Sequence, residues 1–359
     1  MRKFVKLLPF FLALLVLVSS CSDDDDMIDL YPDELVKGAY VLNYGGFSND
    51  AASITKYDYD ADKLTSFYDQ LQNNGAVMTS APQWVYEYDE KIYVMGNNPD
   101  RILVYDPLFV GQDTITTSIV KPRNCIADGN YLYIACWGGD VWTDESLSYI
   151  ARYNLTTKAV ESTITLHGGP EGLEIANGKL YAALNYKNAV AVIDLKSEAV
   201  SYIETTAVCS YLVKDESDNL YVSLVGPWND PSEGAGLGYI NTTTDEITIY
   251  PLTTSSSYAN IMALSKDRSK LYAIGASGYP IVGGVYIFNT STKAFEDGAL
   301  ISDVTGILGI SVNPENGDIY VLIDHGSSVN GEMIIYSANH ELKASKTVGA
   351  SPSMAIFLD

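Results

Sequence analysis

The chain holds three histidines, four tryptophans and four cysteines, and these are the residues whose chemistry can be weighed first. His167 and His325 could ligate a metal or move protons, and Glu171 lies close to the first in sequence. A metal site needs several such groups converging at about 2 Å, and a surface histidine is the simpler reading of each. Gly-x-Ser-x-Gly, His-Glu-x-x-His, Cys-x-x-Cys and the Walker phosphate loop do not occur in the sequence. "GAGLG" at Gly234 lacks the helix that a dinucleotide site needs and reads as a loop. Asp140, Asp144, Glu145, Asp230 and Glu233 could supply a glycosidase pair, but with 45 acidic residues some pair is expected by chance. No catalytic residue, cofactor or metal is expected. A lyase or hydrolase using His167 or His325 remains the enzymatic alternative.

Binding is better served. Trp84, Trp137, Trp142 and Trp228 fall in or beside loops, as do Tyr44, Phe47, Tyr186, Tyr258 and Tyr279. Aromatic rings left in water waste their apolar area, so a set of them in loops suggests a ligand site. The alternative is that they cover the ends of the fold or touch a partner protein. Gln83, Asn97, Asn98, Asn124, Asn185, Arg101, Arg123 and His325 are placed to orient a ligand beside them. Either arginine could instead serve a local ion pair.

The elements that must carry these residues repeat. "EKIYVMGN", "NYLYIAC", "NGKLYAALN", "DNLYVSL", "SKLYAIG" and "GDIYVLI" are variants of one strand, and "GAYVLN" is a shorter one. Their tyrosines are Tyr40, Tyr93, Tyr133, Tyr181, Tyr221, Tyr272 and Tyr320, at intervals of 40 to 53 residues. The fourth copy is the clearest. An apolar run (169–176) meets Asn177-Gly178, a type I′ hairpin signal. "KLYAAL", "AVAVIDL" and "AVSYIE" follow. These are four short strands, a to d. Strand c ends in Asp or Asn in six copies (Asp58, Asp106, Asn154, Asp194, Asn241, Asn289), which starts the next turn. Strand a of the first copy is missing, and "SPSMAIFLD" at the C-terminus supplies a spare one. Closing the ring with it predicts an all-β, seven-bladed β-propeller over residues 31–359; two separate β domains would leave that strand unexplained. The b–c and d–a loops then share one face, and this long-loop face carries the aromatic set. The seven repeat tyrosines read as packing between blades. Cys125 would face Ile134 and lie diagonal to Cys136, too far for a bridge, so buried free thiols are expected.

The N-terminus is separate. Arg2, Lys3 and Lys6 precede an apolar run, Leu7 to Val18, of about 18 Å as a helix, too short for a bilayer core of about 30 Å. Residues 1–20 read as a secretory signal peptide. "VSSC" resembles a bacterial lipobox, which implies cleavage before Cys21 and its lipidation, with an ordinary signal peptide as the alternative. Ser22 to Asp26, "SDDDD", reads as a solvated spacer within a lipidated tether, residues 21–30. It also resembles the acidic export signal of Bacteroides-type surface lipoproteins. The net charge of −23 argues against nucleic acid and anionic headgroups as partners.

"GKLYAALN" with "VAVIDLKS" in the fourth copy resembles the YncE-like propellers. The whole chain, most clearly "GAYVLNYGGFSNDAASITKYD" (38–58), is similar to the propeller lipoproteins of gut Bacteroides, the group that includes cobalamin-binding BtuG. That resemblance implies a monomeric, lipid-anchored propeller at the cell surface. It would bind a corrinoid as ligand and pass it to a TonB-dependent outer-membrane transporter. A glycan- or protein-binding module is the alternative. The resemblance brings no aligned binding residues. The set expected from loop position is Trp84, Asn97, Arg123, Trp137, Trp142, Asn185, Tyr186, Trp228, Tyr258, Tyr279 and His325.

Overall fold

The computed structural model of the chain describes residues 35–46, 52–258 and 260–358. The expected signal peptide and acidic tether, with Cys21, and Phe47 lie outside the described residues.

Among the described residues twenty-eight strands form seven four-stranded antiparallel sheets. The fourth sheet runs Pro170–Ala176 (a), Lys179–Leu184 (b), Ala189–Asp194 (c) and Val200–Glu204 (d), and shows why the sequence folds this way. Asn177 and Gly178 take φ of 49° and 74°, as the type I′ turn requires. Asp194 Oδ1 then accepts from the amides of Lys196 (3.1 Å) and Ser197 (2.7 Å), which turns strand c into strand d. Asn154, Asn241 and Asn289 repeat that device with the amides two and three residues on.

The first sheet is completed from the far end of the chain. Pro352–Leu358 pairs with Gly38–Asn43, with Tyr40 opposite Ile356, Val41 opposite Ala355 and Leu42 opposite Met354. Strand a of every blade touches strand a of both neighbours, so the innermost strands make an unbroken seven-membered ring. The expected closure is present, and that ring has no open seam where another chain could pair.

The repeat tyrosines pack between blades, as expected. Tyr40, Tyr181, Tyr221, Tyr272 and Tyr320 are among the largest fully buried side chains. Four of their hydroxyls reach the c–d turn of the following blade. Tyr181 Oη donates to Asp245 Oδ1 (2.8 Å), and Tyr221 Oη accepts from Lys293 Nζ (2.6 Å). Tyr272 Oη lies 2.9 Å from His340 Nε2, and Tyr320 Oη 3.1 Å from Tyr59 Oη. Each buried phenol thus has a partner for its polar tip. A five-residue helix, Tyr68–Gln72, lies between blades 1 and 2, with Asp69 buried and accepting from the Ile54 amide at 2.8 Å.

Cys125, Cys136 and Cys209 are buried free thiols, and Cys125 pairs with Ile134 in register. Burial pushes Cys136 and Cys209 up to about 12. The sequence places Trp84 where a d–a loop enters strand a. It lies inside strand Ser80–Tyr88 and is only 7% exposed. The pairing skips a residue between Pro82 and Trp84, and this bulge rotates the indole inward.

Candidate functional site

That bulge recurs at the long-loop end of strand a in several blades, and it builds the site. In blade 2 the pairing passes over Gln83, in blade 3 over Arg123, in blade 7 over Leu308 and in the closing strand over Ser353. In blade 4 it passes over Glu171 and Gly172. Four of these bulges directly follow a proline: Pro82, Pro122, Pro170 and Pro352. Proline has no N–H to give to a ladder and is at home beside a bulge. A bulged residue leaves the ladder and is re-aimed. Gln83, Arg123, Glu171, Leu308 and Ser353 all line one cavity of about 610 Å³ at the axis of the ring.

Arg123 and Glu171 form its most ordered feature. Arg123 Nε donates to Glu171 Oε2 at 2.9 Å and Nη2 to Oε1 at 2.7 Å, a two-pronged ion pair between neighbouring blades. The Glu171 side chain is 2% exposed and that of Arg123 13%. Asn97, with its amide nitrogen donating to the Pro122 carbonyl (3.0 Å), accepts from Arg123 Nη1 (3.0 Å) and props the guanidinium from behind. The guanidinium carbon lies 4.1 Å from the Trp137 ring centroid, a cation–π stack. Of the two sequence readings of Arg123, the ion pair is the one present. Its charge is matched inside the wall.

The aromatic wall continues from Trp137. Tyr186 meets it edge-on with centroids 5.4 Å apart, and Trp142 does so at 6.5 Å. Gly169, at φ 64°, permits this packing, because a Cβ there would lie 3.0 Å from the Tyr186 ring and 3.2 Å from Val141. Trp142 stands 56% exposed on the rim, under Lys121 Nζ at 4.4 Å. Across the mouth lie Tyr44 and Tyr258. Trp84, from blade 2, meets Tyr211, from blade 5, with ring centroids 5.4 Å apart, so the rings of two distant blades meet beneath the mouth. Burial pushes the phenols of Tyr44, Tyr186 and Tyr258 up, which keeps them neutral hydrogen-bonding groups. Asp324, whose Oδ1 accepts from Ser351 Oγ at 2.9 Å, adds a carboxylate to the lining.

The cavity therefore brings together Trp84, Arg123, Trp137, Trp142, Asn185, Tyr186 and Tyr258 of the residues expected from sequence. Asn97 stands behind its wall. Trp228, 58% exposed, and Tyr279, 92% exposed, lie in b–c loops outside it. So does His325, whose Nε2 is 3.8 Å from Glu332 Oε2. His167 is exposed and is not among the cavity residues. Arg101 lines a different groove on the side of blade 2. Sequence reasoning missed Asp324, Leu308 and Ser353. The recurring proline at the start of strand a was the available signal for the last of these.

Fold and cavity together define a seven-bladed β-propeller with an aromatic-walled mouth on its axis. The chain belongs to the DUF5074 family, described as a domain of unknown function, whose model matches residues 37–357. Among solved structures it is similar to a quinonprotein alcohol dehydrogenase-like protein from Bacteroides thetaiotaomicron VPI-5482. The two share 15% identity at a TM-score of 0.66 over 90% of this chain and 78% of that one. It is also similar to the Pseudomonas aeruginosa periplasmic gluconolactonase PpgL, with 14% identity at a TM-score of 0.62 over 90% and 99% of the two chains. At such identities the likeness is one of fold. No curated protein matches the chain in sequence.

Proposed function

We propose that this protein is a non-enzymatic, lipid-anchored protein of the outer cell surface. It captures a small amphipathic molecule, a corrinoid such as cobalamin first among candidates, and passes it to a TonB-dependent outer-membrane transporter. The observation that carries the binding part is the axial cavity, walled by Trp84, Trp137, Trp142, Tyr186 and Tyr258 and edged with amide and hydroxyl groups. Its volume lies within the roughly 300–1,000 Å³ of sites that take drug-sized ligands. A corrinoid is larger than that, so one face or edge would enter and the rest would stand above the rim against Trp142. Its apolar faces suit stacking, and its amide fringe suits Asn185, Gln83 and the neutral phenols. The lipobox-like "VSSC" and the acidic run after Cys21 support the surface anchor.

Intact cells expressing the full chain test this reading. They should retain added cyanocobalamin on the surface, and Cys21→Ser should release that retention into the medium. Cells that retain no more cyanocobalamin than empty controls would contradict it.

A further inference from the structure

Among the described residues three charged side chains line the axial cavity: Arg123, Glu171 and Asp324. The first two neutralise each other in their two-pronged pair. Asp324 is left as the unbalanced charge of the lining. It directly follows strand b of blade 7, Ile319–Ile323, and its amide donates to the Gly306 carbonyl at 2.7 Å. Gly306, at φ 81°, permits that approach, since a Cβ there would collide with the Asp324 carbonyl oxygen. From this fixed backbone the carboxyl reaches toward the innermost strands. Its Oδ1 accepts from the Gly326 amide (2.8 Å) and from Ser351 Oγ (2.9 Å). Ser351 directly precedes the closing strand a, Pro352–Leu358, and itself lines the cavity. The Tyr258 phenol, another lining group, feels the same carboxylate.

No cation among the described residues answers it. Asp324 Oδ2 has no hydrogen-bond or ion-pair partner there and is not buried. His325, its neighbour in sequence, is turned to Glu332 at 3.8 Å. Lys121, on the rim beside Trp142, is held by Asp140. The position of Asp324 in the ring matters as much as its charge. Trp137 and Trp142 come from blade 3 and Tyr186 from blade 4. In a ring of seven these are the two blades farthest from blade 7. The mouth therefore has a flat aromatic side and, across from it, a single carboxylate with one open oxygen. The net charge of −23 adds to the negative potential that such an enclosure concentrates.

We propose that the mouth selects positively charged ligands, and that Asp324 is the residue that sets this specificity. The class is a planar or macrocyclic molecule that lays an apolar face on the wall of blades 3 and 4 and brings a positive charge toward blade 7. The selection rests on the reading that this cavity is the binding site. A cation there gains the attraction of a carboxylate that has no other counter-charge, and an anion meets it unshielded, because the one arginine of the lining is already matched. Among corrinoids the demand separates two nearly identical molecules. With water on the upper face of Co(III), cobalamin is a cation in mild acid; with cyanide there, it is neutral overall. That charge sits at the centre of the ring, so its distance to Asp324 depends little on how the ring is turned in the mouth.

Calorimetric titration of the full chain at pH 6 with aquacobalamin and with cyanocobalamin tests the selection. At about 20 mM NaCl the wild type should bind the cation about fivefold more tightly, the scale of one charge pair several ångströms apart near a protein surface, and about 500 mM NaCl should erase most of that preference. Asp324→Asn keeps an oxygen for Ser351 and Gly326. It should bind cyanocobalamin as the wild type does and show no preference between the two. The salt arm needs no variant and stands even if Asp324→Asn folds poorly. Equal affinities in the wild type, a preference indifferent to salt, or a preference kept in a folded Asp324→Asn would overturn the selection and leave capture standing. So would tighter aquacobalamin binding with a shifted cobalt absorption spectrum, because a protein group would then have replaced the water. If neither corrinoid binds, corrinoid capture falls and the selection with it.

Discussion

Arg123 and Glu171 hold equivalent places in neighbouring blades, each following a proline at the start of strand a, and they join in a two-pronged ion pair across the cavity wall. The arginine is the obvious anchor for an anionic ligand, yet its charge is already matched by a nearly fully buried carboxylate. With Asp324 nearby, the mouth offers aromatic faces and neutral polar groups rather than a positive field.

The pair sets the first prediction. Arg123→Met leaves Glu171 buried without its partner and should cost about 3–5 kcal/mol in urea unfolding. Arg123→Lys should recover little, because a single ammonium cannot reproduce the fork. Adding Glu171→Met to Arg123→Met should restore most of the loss. A double variant as unstable as the single one would show that the arginine's packing on Trp137, not its charge, is what matters.

Ring closure sets the second. Truncation after Ala350 removes Pro352–Leu358 and exposes the inner edge of Gly38–Asn43. The shortened chain should lose its cooperative thermal transition and aggregate on size-exclusion chromatography. A monodisperse product melting as the full chain does would contradict closure by the C-terminal strand.

Asp69 sets the third. Burial pushes its carboxyl up to about 6 from 3.8, and its Oδ2 has no hydrogen-bond partner among the described residues. A folded-state value above the unfolded one means that the native state holds the proton longer. Stability is therefore full below about pH 4 and declines as pH rises from 3.8 through 6. Asp69→Asn keeps an oxygen for the Ile54 amide and removes the charge. It should match the wild type near pH 4 and exceed it by about 2–3 kcal/mol at pH 7.5. A constant difference across that range would refute the assignment.

The architecture was readable in the chain because its signals are local. Asn177-Gly178 and the Asp or Asn closing strand c act within a few residues, and the strand-b tyrosine recurs in all seven copies and counts the blades. The spare C-terminal strand was readable by elimination. The site was less so. Arg123 and Glu171 lie 48 residues apart, and only the ring brings successive strands a together. The inward turn of Trp84 was not readable, because the bulge after Pro82 breaks the two-residue alternation by which strand faces are read. Trp137 and Trp228 fall in similar long loops, but only the first turns toward the axis, and nothing near Trp228 in sequence marks the difference.

That difference gives the most direct test of the central claim, that a small amphipathic ligand sits in the axial mouth. Purified full chain would be titrated to equilibrium with cyanocobalamin, beside Trp142→Ala and Trp228→Ala. Both indoles are more than half exposed, so neither truncation should change stability by more than about 0.5 kcal/mol. The wild type should saturate at one ligand per chain. Trp142→Ala should weaken binding by at least about tenfold, the scale of one lost stacking contact, and Trp228→Ala should leave it unchanged. Saturable binding that ignores Trp142 and fails with Trp228 would place the ligand elsewhere on the face, and no binding at micromolar protein would remove the corrinoid.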